Sequence, residues 1–393
     1  MITVRDAFLG MLRAPKYARA AGHAESHWDA WLILCVTTLI GLGMVMVFSS
    51  SISIAQRTTG NSFYYLIRHT IAIALGLVVM GAAMRTRIVF WEKAGPTLLL
   101  TGMLLLVVVL TPVGSRVNGS ARWIPLGVFN LQPAELMKIF MIVYVAGYLV
   151  RRKEELRSFL RGIVMMSLVF ALVGVLLLLE PDLGSTVVIC TTTFAMLFLG
   201  GVRFSHFLMV ILAGVVGLVM LTVLSPYRMA RVTGFIDPWA DPFGSGYQLT
   251  HALIAFGRGE WFGVGLGASV QKLNYLPAAH TDFLFSILAE ELGLIGVLTV
   301  IAIFAVLVWR AFVIAGDSER RGRIYGARLA AGIGVLFAFQ AAVNMGVNMG
   351  VLPTKGLTLP FMSYGGSSML VCCLAAGMLL RVGYEARSGR SES

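Results

Sequence analysis

The stretch Ala279–Phe285, AHTDFLF, places the acid Asp282 directly before a long apolar run. A carboxylate in this position could accept a proton from a hydroxyl group, which is the task of a general base. It could also be an ordinary N-cap of the following helix, because Asp caps helix N-termini well, and Thr281 could serve in the same way. The residues alone leave both interpretations open.

Basic residues in other stretches could bind an anion. Arg228 and Arg231 are spaced i,i+3, so on a short helix they would face one way and could clamp a diphosphate or anchor to lipid phosphate. Glu135 and Lys138 have the same spacing, so they could neutralise each other, or Lys138 could bind substrate. Further cations of this kind are Arg116 and Arg122 in GSRVNGSARWIPLG and Lys355 in LPTKGLTLPFMSYGGSS.

Two short motifs each have a structural and a functional interpretation. In EPDLGS, Asp182 could cap the next helix, or Glu180 and Asp182 could contact a metal ion or a sugar. In SYGGSS, which spans Ser363 to Ser368, Gly365 and its neighbours precede a helix start. That segment could bind an anion through backbone N–H groups, or it could be a turn capped by Ser367 or Ser368.

The composition places these groups in a membrane protein. The chain has 393 residues, 58% of them hydrophobic and 13% charged, and its mean hydropathy of +0.84 lies outside the range of soluble globular domains. The net charge of +12 does not indicate nucleic-acid binding, because the 31 basic residues are scattered between apolar runs. The four cysteines lie in apolar segments without metal-ligand spacing, so they are predicted to be core residues.

Apolar runs of about 20 residues predict an all-α polytopic membrane protein with about ten transmembrane helices. The predicted spans are 31–49, 66–84, 95–112, 134–150, 162–179, 184–200, 204–224, 283–309, 324–347 and 367–384. Of the 31 basic residues, 21 fall on the same side as the N-terminus, so the positive-inside rule predicts that both termini are cytoplasmic.

One connection, 225–282 between the seventh and eighth spans, is long and lies on the predicted extracytoplasmic side. Its aromatic residues and Gly-rich turns predict a structured loop that packs on the membrane surface and partly re-enters it. The chain is interpreted as a single membrane domain, 1–393, with a cytoplasmic N-terminal segment at 1–30 and a cytoplasmic tail at 385–393.

Glu290 and Glu291 lie inside the eighth span, about 12 Å along the helix from the AHTDFLF acid. Adjacent acids at that depth need partners or a water-filled cavity. Gln340, Asn344 and Asn348 repeat at i, i+4 and i+8 on the ninth span, so they could be those partners or could connect helices.

Five stretches together make the chain resemble the SEDS family of polytopic peptidoglycan glycosyltransferases, from about Trp31 to Tyr384. They are GSRVNGSARWIPLGVFNLQPAELMK, EPDLGS, YRMARVTGFIDPWADPFGSGYQ, YLPAAHTDF with the following AEELG, and NMGVNMGVLPTKGLTLPFMSYGGSS. Two segments, PTKGLTLPFMSYGGSS and LPAAHTDF, resemble the FtsW branch, which acts in cell division, more than the RodA branch, which acts in cell shape.

The resemblance implies an inverting glycosyltransferase that polymerises lipid II into glycan strands at the outer face of the bacterial cytoplasmic (inner) membrane, at the division septum. It implies that Asp282 is the catalytic residue. The substrate-binding residues that it implies are Arg116, Arg122, Glu135, Lys138, Arg228, Arg231, Gln248, Lys355, Ser363 and Gly365.

The resemblance also implies partners and a cofactor. Family members work with a class B penicillin-binding protein, an FtsI-like transpeptidase, and with other divisome membrane proteins. A divalent cation, Mg²⁺ or Mn²⁺, is expected to assist, and Glu180 and Asp182 are the acids that could contact it. The resemblance implies no organic cofactor.

Two other functions are compatible with a polytopic chain of this kind. A lipid II flippase would share the lipid and the many spans, and Glu290 and Glu291 could be its coupling groups near the membrane midplane. A scaffold that only positions a partner synthase would tolerate changes at Asp282 and Arg116. The polar residues are concentrated on one predicted side, which favours the enzyme.

Overall fold

The structure is a computed structural model that describes residues 27–117, 120–125, 130–154 and 164–388. Most of the predicted N-terminal segment and the end of the predicted tail therefore lie outside the described residues. Within the described ranges the chain is mostly helical, as the apolar runs predict, and it contains one small sheet.

Twelve helices occur in the described ranges, and their order follows the predicted spans. They are α1 (Ala30–Thr59), α2 (Tyr64–Arg85), α3 (Ile88–Leu110), α4 (Pro133–Arg151), α5 (Met165–Leu179), α6 (Leu183–Leu199), α7 (Phe204–Val223), α8 (Pro226–Ile236), α9 (Tyr247–Gly259), α10 (Leu284–Arg320), α11 (Ile324–Asn348) and α12 (Gly366–Ser388).

Each predicted span coincides with one of these helices. Among the described helices, eight are long and apolar enough to cross a membrane, namely α1, α2, α3, α4, α7, α10, α11 and α12. Helices α5 and α6 are apolar but shorter, with 15 and 17 residues. The two remaining helices, α8 and α9, lie within the long connection between α7 and α10.

Several helices extend beyond the apolar run that predicts them. Helix α1 continues ten residues past its predicted end, through a polar segment whose Thr58 and Thr59 hydroxyls donate to backbone carbonyls four residues earlier. It ends at Gly60, whose φ of 70° is the left-handed conformation that favours glycine after a helix. Helix α10 continues to Arg320, and α12 extends into the predicted tail. Hydropathy predicts where lipid could surround a helix but does not predict where the helix ends.

The centre of the helical array is formed by α4, α11 and α12, which are buried along most of their length. Helix α2 packs along α12, and α10 packs along α11, α1 and α9. In contrast, no described residue of α7 is buried. The most deeply buried helices are therefore less hydrophobic than the exposed α7, so hydropathy does not predict which helices form the core.

A small antiparallel sheet follows α3, in a segment where only helices and loops are predicted. Its strands are β1 (Ser115–Val117), β2 (Ser120–Pro125) and β3 (Asn130–Leu131), and β2 lies in the middle. The sequence does carry a hairpin signal here, because Asn-Gly between strand-forming residues is typical of a two-residue turn, and Asn118-Gly119 occupies that position.

Helix α10 is broken at Gly293, and the long connection fills the break. Gly293 has φ 65° and ψ −165°, and a Cβ atom there would lie 2.4 Å from the amide nitrogen of Gly263. The amides of Val264 and Gly265 donate to the carbonyls of Glu290 and Glu291 at 2.9 and 3.1 Å. The backbone groups that the break releases are therefore satisfied by the connection, as burial requires.

Candidate functional site

Asp282 lies in a turn that ends one residue before α10 begins. The cap position of α10 is Phe283, and no side chain caps the helix, so the interpretation of Asp282 or Thr281 as an N-cap is wrong. The Asp282 carbonyl accepts hydrogen bonds from the amide groups of Asn344 and Asn348, both at 2.9 Å. These two bonds hold the backbone and leave the carboxylate available for another role.

Asp282 is half-buried as a residue, and its carboxylate faces the segment that precedes α12. A Cβ atom on Gly356 would lie 2.8 Å from Asp282 Oδ2, so the missing side chain makes room for the acid. Burial raises the pKa of Asp282 to about 6 from its ordinary value of 3.8. The charges of Arg231 and Arg122 oppose this shift, and the charge of Asp182 adds to it. All three groups are therefore close enough for electrostatic coupling to Asp282.

Arg122 and Arg231 approach this acid from different elements. Arg122 lies on β2, and its Nε donates to the Glu180 carbonyl at 3.1 Å while its Nη2 donates to the Pro181 carbonyl. Arg231 lies on α8, and its Nη1 donates to the Thr354 carbonyl at 3.3 Å. Because backbone carbonyls fix both guanidinium groups, two positive charges are held beside Asp282.

Lys138 lies in the core, with only 2% of its surface exposed. Its Nζ donates to Glu135 Oε1 at 2.7 Å and to Gln340 Oε1 at 3.2 Å. Gln340 in turn donates to the Thr358 carbonyl at 3.0 Å. The neutralising pair is thus the arrangement observed, and the chain of contacts connects α4, α11 and the segment that carries Lys355.

EPDLGS forms the turn between α5 and α6. Asp182 caps α6 by accepting from the Ser185 amide at 3.1 Å and from the Ser185 hydroxyl at 2.8 Å, so the capping interpretation is correct. Glu180 is fully buried, and its carboxylate has no hydrogen-bond partner in the described part of the chain. Burial raises the pKa of Glu180 to about 8, the charge of Asp182 adds to this, and that of Arg122 opposes it.

A resident metal ion does not fit the residues that the structure describes. In those ranges no three His, Cys, Asp or Glu side chains are grouped so that they could hold one. Asp182 uses both carboxylate oxygens for the cap. EPDLGS therefore leaves only the Glu180 carboxylate uncommitted, which is too few protein oxygens for a resident Mg²⁺ or Mn²⁺ site.

The serines of SYGGSS form hydrogen bonds within the segment before α12 and between the starts of α12 and α4. Ser363 Oγ accepts from the Leu359 amide at 2.9 Å and closes a buried turn. Ser367 Oγ accepts from the Gln132 amide and donates to the Asn130 carbonyl, both at 2.9 Å, so it ties the start of α12 to the start of α4. Gly365 is half-buried one residue before α12, and the segment is an ordered turn.

The structure describes the side chains of some of the remaining predicted residues but not of others. Lys355 is half-buried beside Gly356, and Gln248 is half-buried in the first turn of α9. Arg116 lies on β1 and Arg228 on α8, but the side chains of these two residues lie outside the described part of the structure.

Glu290 and Glu291 do not pair with Gln340, Asn344 or Asn348, so that predicted pairing is wrong. Glu291 Oε1 instead accepts from Lys272 Nζ and from Ser49 Oγ, both at 2.7 Å. Glu290 accepts from the Ser269 hydroxyl and from the amides of Val270 and Gln271, with Arg258 Nε at 3.7 Å. The amide side chains of α11 bond elsewhere: Asn344 and Asn348 donate to the Asp282 carbonyl, and Gln340 accepts from Lys138.

We define the contacts of Glu290 and Glu291 with Ser49 and with residues 269–272 as the loop clamp. It fixes the end of the long connection against α1 and α10, ten residues before Asp282, counted from Lys272. Sequence reasoning missed Lys272 as a buried residue. The sequence did contain a signal for it. Two acids inside the membrane need a cationic partner, and the long connection before them contains Arg258 and Lys272.

Comparisons with known proteins agree with this architecture. The family profile FTSW_RODA_SPOVE, described as "Cell cycle protein", matches residues 30–388. A "Probable peptidoglycan glycosyltransferase FtsW" of Nitrosococcus halophilus is 54% identical over 94% of this chain and 95% of its own. A protein of the same description from Aromatoleum aromaticum is 53% identical over 91% and 88%.

Two solved structures are similar over nearly the whole chain. One comes from work on "Structural coordination of polymerization and crosslinking by a peptidoglycan synthase complex", with a TM-score of 0.75 and 29% identity over 92% of this chain and 98% of the other. The other is the rod shape determining protein RodA of Thermus thermophilus, with a TM-score of 0.67 and 26% identity over 95% and 99%.

Proposed function

Because this chain belongs to the family of cell cycle proteins described by FtsW, RodA and SpoVE, we propose that it is a peptidoglycan glycosyltransferase of the FtsW branch. It polymerises lipid II into glycan strands for septal cell-wall synthesis, as a multi-pass protein of the bacterial inner membrane. The observation that carries this proposal is a half-buried aspartate with two fixed arginines beside it, at the end of the array opposite the start of α1 and the end of α12.

The growing strand is the donor in the proposed reaction. Its diphosphate binds the cationic side of the Asp282 turn, where Arg122, Arg231 and Lys355 lie. Arg116 is on β1, which pairs with the strand of Arg122, and Arg228 is on the same helix as Arg231. The sugar 4-hydroxyl of an incoming lipid II attacks the anomeric carbon and gives its proton to Asp282. The bond from that carbon to the diphosphate breaks with inversion, and the diphosphate leaves with the electron pair. Charge develops on this leaving group, so fixed cations there lower the barrier.

The pKa of Asp282 suits this role. A general base works best when its pKa lies near the operating pH, and burial places that of Asp282 at about 6. The nearby arginines alone would lower it to a value at which the carboxylate is a weak base. Desolvation of Asp282 therefore offsets the lowering of its pKa by the arginines that the leaving group needs. Glu135 and Lys138 support this site from the core, by positioning the segment that carries Lys355 and Gly356.

The partner that we propose is a class B penicillin-binding protein, an FtsI-like transpeptidase that cross-links the strands. A similar solved structure belongs to a peptidoglycan synthase complex in which polymerisation and cross-linking are coordinated, which supports this pairing. We propose that the pair acts with other divisome proteins at the septum.

The alternative function, lipid II flipping, loses its support from Glu290 and Glu291. Coupling groups of a transporter must exchange partners, but these acids are held by Lys272, by hydroxyls and by backbone amides in the loop clamp. Their role is to position the long connection.

The test is lipid II polymerisation by the purified protein in proteoliposomes, with and without the penicillin-binding protein. We expect Asp282→Asn to lower the rate by about 10²- to 10⁴-fold, the usual contribution of a general base. The matched control is Asp317→Asn, which changes a partly exposed ion pair at the opposite end of α10 and should leave the rate within about twofold. Parent-like polymerisation by Asp282→Asn would show that the acid is not the base, and lipid scrambling without polymer would favour the flippase.

A further inference from the structure

A group of aromatic rings lies on the other side of the Asp282 turn. The ring centroid of Tyr65 is 4.7 Å from that of His280 and 5.3 Å from that of Tyr364. The His280 carbonyl accepts from the Tyr364 amide at 3.0 Å, which joins the turn to the segment before α12. Tyr64 packs edge-on against Tyr65 at 5.2 Å. We call these four residues the aromatic corner.

Arg68 completes the aromatic corner with a positive charge. It lies one helical turn beyond Tyr64 on α2, and its guanidinium carbon is 4.8 Å from the Tyr64 ring centroid. Its positive charge also acts on Tyr364, because burial raises the pKa of that phenol and the charge of Arg68 opposes this rise. Unlike Lys138, Arg68 is exposed, so its charge can meet a ligand. Arg68 lies within the predicted span 66–84, so it was not among the predicted site residues.

An exposed apolar stripe continues from Arg68 along α2. It is formed by Ile67, Ile71, Leu75 and Val78, which are 51%, 41%, 40% and 70% exposed. On a helix Arg68 shares a face with Ile71, Leu75 and Val78, because they follow it at separations close to multiples of about 3.6 residues, and Ile67 borders this face. The face therefore presents aromatic rings, then a cation, then an apolar track, in that order from the end of the molecule inward.

These three features match the parts of a polyprenyl-diphosphate-linked saccharide. Aromatic faces pack against the apolar faces of sugar rings, a guanidinium group binds phosphate oxygens with several donors, and an apolar helix face accommodates a hydrocarbon tail. The transfer reaction needs two such molecules, and the proposed donor occupies the cationic side of the turn. His280 is two residues from Asp282, which limits the separation of their Cα atoms to about 7 Å.

We propose that the start of α2 and the aromatic corner form the acceptor subsite, which binds the incoming polyprenyl-diphosphate-linked saccharide and presents its 4-hydroxyl to Asp282. This assignment rests on the proposed function. Tyr65, Tyr364 and His280 align the sugar, Arg68 binds the diphosphate, and the apolar stripe receives the tail. The packing of these half-buried rings also fits this role. Three chain segments contribute rings that face one another, whereas the rings of an interfacial aromatic belt face lipid.

The experiment distinguishes acceptor from donor by blocking the hydroxyl group that only the acceptor uses. Lipid II whose terminal sugar 4-hydroxyl is blocked can act only as donor, so mixing it with unblocked lipid II allows each concentration to be varied alone. We expect Arg68→Gln to raise the KM for unblocked lipid II by about tenfold, with the KM for the blocked donor and kcat within about twofold, because it removes one charged hydrogen-bond donor. The assay uses the full chain with its penicillin-binding protein in proteoliposomes.

The matched control is Arg57→Gln, which removes an exposed charge from the last turn of α1, at the same end of the molecule. It should leave both KM values unchanged. If Arg68→Gln lowers the melting temperature, Arg68→Lys keeps the charge without the fork of donors and should raise the acceptor KM by less. Equal behaviour of Arg68→Gln and Arg57→Gln, or a larger effect on the donor KM, would overturn the acceptor assignment. Failure of the parent protein to make strands would instead overturn the proposed function.

Discussion

At the scale of the residue, Asp282 is held by two opposing effects. Desolvation raises its pKa, and the charges of Arg231 and Arg122 lower it, with a result of about 6. The deprotonated form is the base, so activity should be low below this value and should rise as the pH increases through it. The acid limb of the pH profile of kcat should therefore have its midpoint near pH 6.

Arg231→Gln tests this balance. Removing the positive charge removes an effect that lowers the pKa, so the midpoint of the acid limb should move to higher pH. The control is Arg203→Gln, an exposed charge between α6 and α7, for which the midpoint should not move. The measurement is kcat for polymerisation between pH 5 and 8, with about 0.5 pH steps. An unchanged midpoint in Arg231→Gln would show that the two groups are not coupled.

Sequence reasoning predicted much of the neighbourhood of Asp282, because charged groups that lipid excludes must gather where the membrane ends. It could not predict which polar groups bond to each other. Asn344 and Asn348 were interpreted either as partners of Glu290 and Glu291 or as groups that connect helices, yet both donate to the Asp282 carbonyl in the turn before α10. Spacing along one helix defines a face but does not define which neighbour lies opposite that face.

At the scale of the element, the broken helix α10 depends on the loop clamp. Lys272 and Glu291 are 8% and 0% exposed in their side chains, and their atoms are 2.7 Å apart. Removing one partner of such a pair leaves an uncompensated buried charge, which costs about 3–5 kcal/mol. The clamp therefore contributes to the position of the connection that ends at Asp282.

Lys272→Met should lower the melting temperature of the detergent-solubilised protein by about 5 °C or more. Lys272→Met combined with Glu291→Gln should recover most of the loss, because the second change removes the orphaned charge. Lys93→Met, an exposed lysine on α3, is the matched control and should have little effect. Equal melting temperatures for Lys272→Met and Lys93→Met would mean that the clamp does not stabilise the fold.

The helices themselves could be predicted from apolar runs, whereas their ends and the small sheet could not. Helix α1 continues through Ser49–Thr59 because hydroxyl groups can bond to the helix backbone, and hydropathy does not detect this. The strands β1 and β2 are short and carry only the weak signal of Asn118-Gly119.

At the scale of the whole molecule, the site residues and the predicted cytoplasmic charges lie at opposite ends of the array. The cytoplasmic end is joined by ion pairs of Asp29 with Arg310 and Arg387, which connect α1, α10 and α12. The packing order of the helices could not be predicted, because a residue that faces lipid and a residue in the core have the same apolar chemistry. Helix α4 at the centre and the exposed α7 illustrate this.

Labelling in spheroplasts tests the predicted orientation. Phe243→Cys, at a position that is 90% exposed in the long connection, should react with a membrane-impermeant maleimide in intact spheroplasts. Lys93→Cys, at the opposite end of the array, should react only after permeabilisation. The parent chain gives the background, because Cys35, Cys372 and Cys373 are buried and Cys190 is half-buried. The reverse pattern would contradict the assignment of the termini to the cytoplasm.

Because Gly263 and Gly293 approach each other closely, substitutions at these positions should abolish activity although neither residue is near Asp282 in the sequence. A Cβ atom on Gly263 would lie 2.1 Å from the Glu291 carbonyl oxygen, and both glycines have positive φ angles that favour no other residue. One added methyl group would force the connection out of the break in α10. A substitution at Gly263 or Gly293, which contact no substrate in the proposed reaction, would then displace Asp282. A genetic screen for lost septation should therefore recover substitutions at these glycines as readily as at Asp282.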